Sequence, residues 1–259
     1  MSNRDSDGIE KYSDVSIVDN YGYRGSYHPD FFKHLASRLA GDNSSACVDL
    51  LCGRGEIANL AKDHFGTVIA VDGSSEMLRR ASEHPNVSYH NWGDVNSAAF
   101  TDHFAGVKYK YWFIGRAAHW ITLEGLNKLR ANAMTNDVVV TTMSAGFSMN
   151  NPWWNDYKSL MITPFRDDPS PNRNWKSGKL LEAGFSAIDS VTSTYSVTID
   201  TSHLIGNAMS YSPDRNAKIA SNMNELRNSL LDALKPWLLD DGRLQAVISN
   251  EAYLFKIKN

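Results

Sequence analysis

Residues 46–51 form a short apolar run that leads straight into Cys52-Gly53-Arg54-Gly55-Glu56, two near-adjacent glycines ahead of a helical pattern through Ile57, Leu60 and Ala61. Few features restrict a fold more. A strand must stop, the backbone must turn tightly, and a helix must begin with its free amides facing whatever the turn approaches. The theme then repeats. Residues 67–71 are β-branched and apolar, as a strand buried on both faces requires. Ser74 or Ser75 caps a helix that turns Met77, Leu78 and Ala81 inward. Residues 87–90, 109–114 and 137–142 supply three more strands, and Thr122 opens a helix carrying Leu123, Leu126 and Leu129. Strands alternating with helices at this spacing predict βαβ units and a doubly wound parallel sheet.

The flanks are less regular. The first 20 residues read as frayed, and an aromatic, glycine-containing stretch follows at 21–27. His28-Pro29-Asp30 opens a helix whose apolar positions are Phe31, Leu35 and Leu39, ended by Gly41 and Asn43. Residues 147–180, with Trp153, Trp154 and Tyr157, read as a partly helical excursion, and 187–199 as a strand. Ser212-Pro213-Asp214 starts what reads as one long helix, striped by Ile219, Met223, Leu226, Leu230 and Leu234. A last strand at about 251–258 runs through Ala252, Leu254 and Ile257. The expected architecture is α/β: a seven-stranded, mostly parallel sheet, with the two late strands forming an irregular edge that includes an antiparallel strand.

Composition narrows the function classes. A chain of 259 residues that is 42% hydrophobic has ample material for one large domain and its core. The formal net charge of −3, with Lys and Arg scattered, gives no footprint for nucleic acid. No stretch approaches 18 uninterrupted apolar residues, so no membrane span is expected, and the polar start of the chain has no signal-peptide pattern. Two cysteines, Cys47 and Cys52, are too few and too close for a secreted framework. A cytoplasmic protein, monomer or homodimer, is expected. The eight histidines include no His-x-x-x-His pair with a Glu, so no metal site is expected; Asp167 and Asp168 in a Pro-rich loop read as solvated acids.

The glycine loop alone also satisfies a loose dinucleotide fingerprint, Gly53-x-Gly55-x-x-Ala58. The acids separate the readings. Asp49 lies at the end of the first strand, Asp72 at the end of the second and Asp94 just after the third. Three carboxylates thus fall at the strand ends where doubly wound sheets bind ligands. A ligand bearing an ammonium group, a ribose diol and an exocyclic adenine amine needs acceptors there, and S-adenosylmethionine has all three.

On these residues the chain resembles the class I S-adenosylmethionine-dependent methyltransferases. Asp49 to Glu56 is similar to their Asp-x-Gly-x-Gly-x-Gly motif, with Leu51 in place of the first glycine, a substitution expected to need β conformation there. Within the family the resemblance is to the small-molecule, trans-aconitate methyltransferase-like (methyltransferase type 11) group. Arg24-Gly25-Ser26-Tyr27-His28-Pro29 matches its Arg-x-x-Tyr-x-Pro, and Ile114 to Trp120 its His-Trp segment. The resemblance implies a Rossmann-like fold and a single methyltransferase domain, 1–259. Its cofactor-binding core would be 46–142, its N-terminal cover 21–45, and its substrate-pocket cover 147–180 and 200–239. It implies that Asp72 takes the ribose hydroxyls, that Asp94 and Val95 read adenine, and that Arg24 and Tyr27 reach the methionine carboxylate. Leu51, Cys52, Gly53, Gly55, Gly73, Met77 and Arg116 complete the cofactor set with Asp49, the product being S-adenosylhomocysteine.

Methyl transfer from a sulfonium needs alignment above all, and a base only where the acceptor loses a proton. His119, just beyond the fourth strand, is the candidate base. Tyr21, Tyr23, Trp120, Trp153, Trp154 and Tyr157 are the candidate substrate-binding residues, able to exclude water and sandwich a small acceptor. The expected function is methylation of an O, N or C atom of a small metabolite, secondary metabolism included. The alternatives are a methyltransferase-fold protein that binds the cofactor for cyclisation or regulation, and a dinucleotide-dependent oxidoreductase, which Asp49 and Asp94 disfavour.

Overall fold

The computed structural model describes residues 12–39, 44–103, 109–132, 137–165 and 178–258. The helix-ending Gly41 and Asn43 and the acids Asp167 and Asp168 lie outside them. Seven strands form one sheet in the order β3-β2-β1-β4-β5-β7-β6. Strands β1 (Ala46–Leu50), β2 (Thr67–Asp72), β3 (Val87–Asn91), β4 (Tyr111–Gly115) and β5 (Val139–Phe147) run parallel. β7 (Leu244–Ile257) is antiparallel to both β5 and β6 (Phe185–Ile199). The single antiparallel strand is therefore the last in sequence, inserted between β5 and β6. Both late strands exceed the expected lengths because they pair with each other from Phe185↔Ile257 to Ile199↔Leu244.

Period-2 alternation divides the sheet's two faces. Cys47, Val68 and Phe113 pack on one face with Phe31, Phe32 and Leu35 of α2 (Pro29–Leu39) and with Ile57 and Ala58 of α3 (Glu56–Ala61). Val48, Leu50 and Trp112 face the other way, onto Leu126 and Leu129 of α6 (Leu123–Asn132). The remaining short helices before α6 are α1 (Val15–Asn20), α4 (Ser75–Leu78) and α5 (Ala98–Asp102).

A third cluster lies within the segments after β5. Trp153, Tyr157 of α7 (Trp154–Tyr157), Leu204 of α9 (Thr201–Met209), Ile219, Leu230 and Leu234 bury together against Ile199 and Leu244. α8 (Gly178–Glu182) packs by β6. The expected long helix is two, α10 (Pro213–Ser221) and α11 (Met223–Leu234). Asn222 breaks it. Its side chain donates to Lys218 O at 2.9 Å, competing with the backbone ladder, and its φ and ψ of −118° and 18° leave the helix. No helix among the described residues is long and apolar enough to cross a membrane.

Candidate active site

The strand order reverses beside β1, between β2 on one side and β4 on the other, and ligands of such sheets bind outside the strand C-termini at that point. A cavity with about 630 Å³ of atom-free space, part of it open to solvent, lies there. That size suits a cofactor-sized molecule. Its wall includes Leu51 and Gly53 after β1, Asp72, Gly73, Ser74 and Met77 after β2, Gly93, Asp94, Val95 and Asn96 after β3, and Arg116, Ala117 and Trp120 after β4. Tyr12 and Tyr21 close it from the N-terminal segment.

The glycine loop is held by its neighbours. Cys52 N–H donates to Val71 O at 2.9 Å and Gly53 N–H to Asp72 Oδ2 at 2.8 Å. Gly53 and Gly55 have φ of 57° and 73°, the left-handed region. A Cβ on Gly53 would meet only Tyr21 Cε1 at 3.9 Å, whereas one on Gly55 would collide with the Tyr89 ring and hydroxyl. Gly53 therefore keeps the cavity side open, and Gly55 permits the packing beneath the loop. Leu51 is not in β conformation, contrary to expectation: its φ is 56°. The turn out of β1 demands that conformation, and Leu51 adopts it at a cost of about 1–2 kcal/mol, against which its side chain packs beside the β1–β4 core. Arg116, with φ of 55°, is the second strained residue of the same wall.

Asp72 also accepts from Ser74 N–H at 2.8 Å, which leaves its carboxylate further acceptor capacity. Burial pushes its pKa up, against those two backbone donors. Asp94 Oδ1 accepts from Asn96 N–H at 2.9 Å. Asn96 in turn donates to Trp120 O at 3.1 Å and accepts from Thr122 N–H at 2.7 Å, tying the loop after β3 to the loop after β4. Ser74 caps α4 through Met77 N–H and donates to Tyr12 O at 2.5 Å. The rings of Tyr21 and Trp120 stand edge-on to Tyr12 at 5.9 and 6.1 Å.

Ten of the expected residues thus share one space: Leu51, Gly53, Asp72, Gly73, Met77, Asp94, Val95, Arg116, Tyr21 and Trp120. The others stand outside its lining. Asp49 is buried beneath the loop, where Oδ2 accepts from Ala58 N–H at 2.9 Å and Oδ1 has no partner. Burial raises its pKa well above the usual carboxylate range. Cys52 is buried and its thiol pKa is pushed up by the same cause, so it packs rather than reacts. Tyr27 lies under Arg116, ring centroid to guanidinium carbon 5.3 Å, with a buried, unpartnered hydroxyl. Arg24 donates to Ser210 Oγ and O at 3.0 and 2.6 Å and lines an adjacent cavity.

His119 does not line the cavity. Its ring lies 4.8 Å from that of Trp120, and its carbonyl accepts from Lys179 Nζ at 3.2 Å. Tyr23 stands edge-on to His203 at 5.2 Å. Trp153 and Tyr157 are fully buried, bonded to Gln245 O and to Leu204 O and Asn207 Oδ1, and Trp154 packs beside them. Trp153, Trp154 and Tyr157 belong to the apolar cluster of the segments after β5 and lie outside the cavity's lining.

Sequence reasoning missed Tyr12, Ser74, Gly93, Asn96 and Ala117 as wall residues, and the anchoring role of Glu56. Asn96 had a readable signal, an Asn two residues after Asp94 in a strand-end turn. Tyr12, in a polar terminal segment, had none. Glu56 pairs with Arg116, accepts from Tyr27 N–H at 3.1 Å and so joins the helix start to the loop after β4. Burial opposes the charge on Arg116, but Glu56 together with Tyr21, Tyr27 and Tyr211 outweighs it and raises its pKa. Among the described residues no three His, Cys, Asp or Glu side chains group as a metal site.

No family profile and no curated protein matches the chain. Solved structures do. A candidate type II methyltransferase from Anaeromyxobacter dehalogenans superposes with a TM-score of 0.65 over 91% of this chain and 97% of its own, at 18% identity. The YcgJ protein of Bacillus subtilis and a candidate methyltransferase from Bacillus halodurans each give 0.53 over 90% of this chain and all of theirs, at 15% and 14% identity. What survives at such identities is the architecture, and this chain has the Rossmann-like fold of class I methyltransferases.

Proposed function

We propose that the chain is an S-adenosylmethionine-dependent methyltransferase acting on an O, N or C atom of a small molecule. One observation carries the reading: Asp72, Asp94, Val95 and Gly53, from three successive strand ends, border a single cofactor-sized space. Asp72 would accept from the ribose hydroxyls, Asp94 and the Val95 amide would read adenine, and Gly53 would let the methionine portion pass close to the backbone. Arg116, on the wall of the same space and already paired with Glu56, would stand beside the methionine portion. When bound, the cofactor supplies a methyl group on a positively charged sulfur with a neutral leaving group.

The chain's own contribution is alignment and exclusion of water. The rings of Tyr12, Tyr21 and Trp120 shield the space and present faces that attract a sulfonium cation. In this reading His119 positions Trp120 rather than taking a proton. The polypeptide's buried, reduced cysteines accord with a cytoplasmic enzyme of small-molecule biosynthesis. A second reading, cofactor binding for a non-methylating reaction or for regulation, draws on the absence of histidine, lysine and cysteine from the described lining.

Mass spectrometry of an acceptor panel incubated with methyl-labelled S-adenosylmethionine tests the proposal. It predicts a labelled product formed one for one with S-adenosylhomocysteine. Cofactor binding with no labelled product from any acceptor class would favour the second reading.

A further inference from the structure

Charge is spread unevenly around Tyr21. The guanidinium carbons of Arg24 and Arg116 lie 4.5 and 5.4 Å from the centre of its ring, which borders the cofactor-sized cavity. Arg24 is bonded to the neutral Ser210, and among the described residues Glu56 is the carboxylate that pairs with Arg116. Glu56 stands outside the lining of that cavity, whereas Arg116 is part of it. With 13% of the Arg116 side chain and 30% of the Glu56 side chain exposed, the pair is screened less than one on the open surface. The cation is also fixed in place. Arg116 N–H donates to Met143 O at 2.7 Å and its Nη1 to Gly25 O at 2.8 Å. Those two bonds do not depend on Glu56, so the guanidinium would stay beside the cavity if its partner lost its charge. The carboxylates of the lining itself, Asp72 and Asp94, belong to the ends of β2 and β3.

S-adenosylmethionine and S-adenosylhomocysteine differ by one methyl group and one positive charge, both at sulfur. Their adenosine, ammonium and carboxylate groups are the same, so contacts with those parts cancel in the ratio of the two affinities. What remains is room for the methyl group and the electrostatic potential where the sulfur sits. An unbalanced guanidinium on the wall repels the sulfonium and leaves the neutral thioether almost unaffected. We propose that Glu56 sets the preference of the site for the charged cofactor over its neutral product, by cancelling the charge of Arg116. The proposal rests on the methyltransferase reading and deepens it. Glu56 acts through Arg116, which makes it a positioning residue of the electrostatic field rather than a catalytic one. The bias it supplies limits inhibition of the protein by its own product.

The test is calorimetric titration of S-adenosylmethionine and of S-adenosylhomocysteine into the full chain and into Glu56→Gln, Arg116→Gln and the double variant. Glutamine keeps an acceptor for the Tyr27 N–H that Glu56 now holds at 3.1 Å. Glu56→Gln should shift the affinity ratio toward S-adenosylhomocysteine by at least about fivefold. Arg116→Gln, which leaves the carboxylate without its cation, should shift it the other way, and the double variant should return it to within about twofold of the wild type. Equal losses for both ligands in Glu56→Gln would show a merely structural role and overturn the proposal. A ratio that stays shifted in the double variant would trace the effect to distortion around the methyl group, and overturns it too. Should Glu56→Gln fail to fold, Arg116→Gln decides alone: a ratio unmoved, or moved toward S-adenosylhomocysteine, refutes the charge balance. Binding of neither ligand by the unmodified chain counts against the methyltransferase reading, and the proposal falls with it; unmoved ratios in variants that bind both overturn the proposal alone.

Discussion

Two glycines two positions apart do different work, which makes the loop after β1 testable residue by residue. Gly53→Ala should carry left-handed strain of about 1–2 kcal/mol yet leave the fold intact, because only Tyr21 lies within 4 Å of the new Cβ, but weaken S-adenosylhomocysteine binding by about tenfold or more by calorimetry. Gly55→Ala should instead lower unfolding stability by about 2 kcal/mol or more in urea, since left-handed strain adds to collision with Tyr89. Asp49 makes a pH prediction. Its pKa in the folded protein is raised above the unfolded value of about 3.9, so the folded state retains a proton that the unfolded chain releases. Stability should therefore fall as pH rises from about 4 through the raised pKa, and Asp49→Asn should flatten that decline in urea titrations, leaving the smaller part due to Asp72. His119 carries the third test. A positioning role behind Trp120 predicts that His119→Ala keeps the pH–rate profile of the wild type and loses less than the 10²–10⁴-fold, roughly, that removing a general base costs. Loss of an ionisation from the profile would restore the proton-transfer role.

At the scale of elements, the parallel half was legible because its signals are local. Residues 67–71 announce a two-face buried strand, Ser74 caps the helix it was expected to cap, and Asp72 and Asp94 border the cavity where the spacing set them, while Asp49, inside β1, is buried beneath the loop. What stayed hidden depends on tertiary partners. The 219–234 stripe holds its helical period straight across Asn222, so nothing in the pattern reveals that the chain turns there. Trp153 and Tyr157 are rings of the kind that line pockets, yet their NH and OH groups find Gln245, Leu204 and Asn207 inside the third apolar cluster. Leu51 shows the same limit at a single turn, since no sequence pattern forecasts a leucine held at positive φ. Because Leu230 is fully buried in the third apolar cluster, Leu230→Ala should cost about 2–5 kcal/mol in urea unfolding. A loss below about 1 kcal/mol would mean that α11 is not docked as described.

For the whole molecule, the division of labour follows the sheet. The parallel strands deliver Gly53, Asp72 and Asp94 to one edge, and the N-terminal segment closes over them through Tyr12 and Tyr21. The long β6–β7 pair meanwhile supports the segments after β5 with an apolar cluster of their own. Tyr21 also borders a second cavity, together with Gly22, Arg24, Ser26, Arg54 and Glu56. The central claim is that the space between Gly53, Asp72 and Asp94 holds an adenosyl sulfonium cofactor. Calorimetric titration of S-adenosylhomocysteine and of NAD into the wild-type chain and into Asp72→Ala tests it most directly. The account predicts one S-adenosylhomocysteine site per chain, at least about tenfold weaker in Asp72→Ala, and no binding of NAD. Binding of NAD but not of S-adenosylhomocysteine, or S-adenosylhomocysteine affinity indifferent to Asp72, would contradict it.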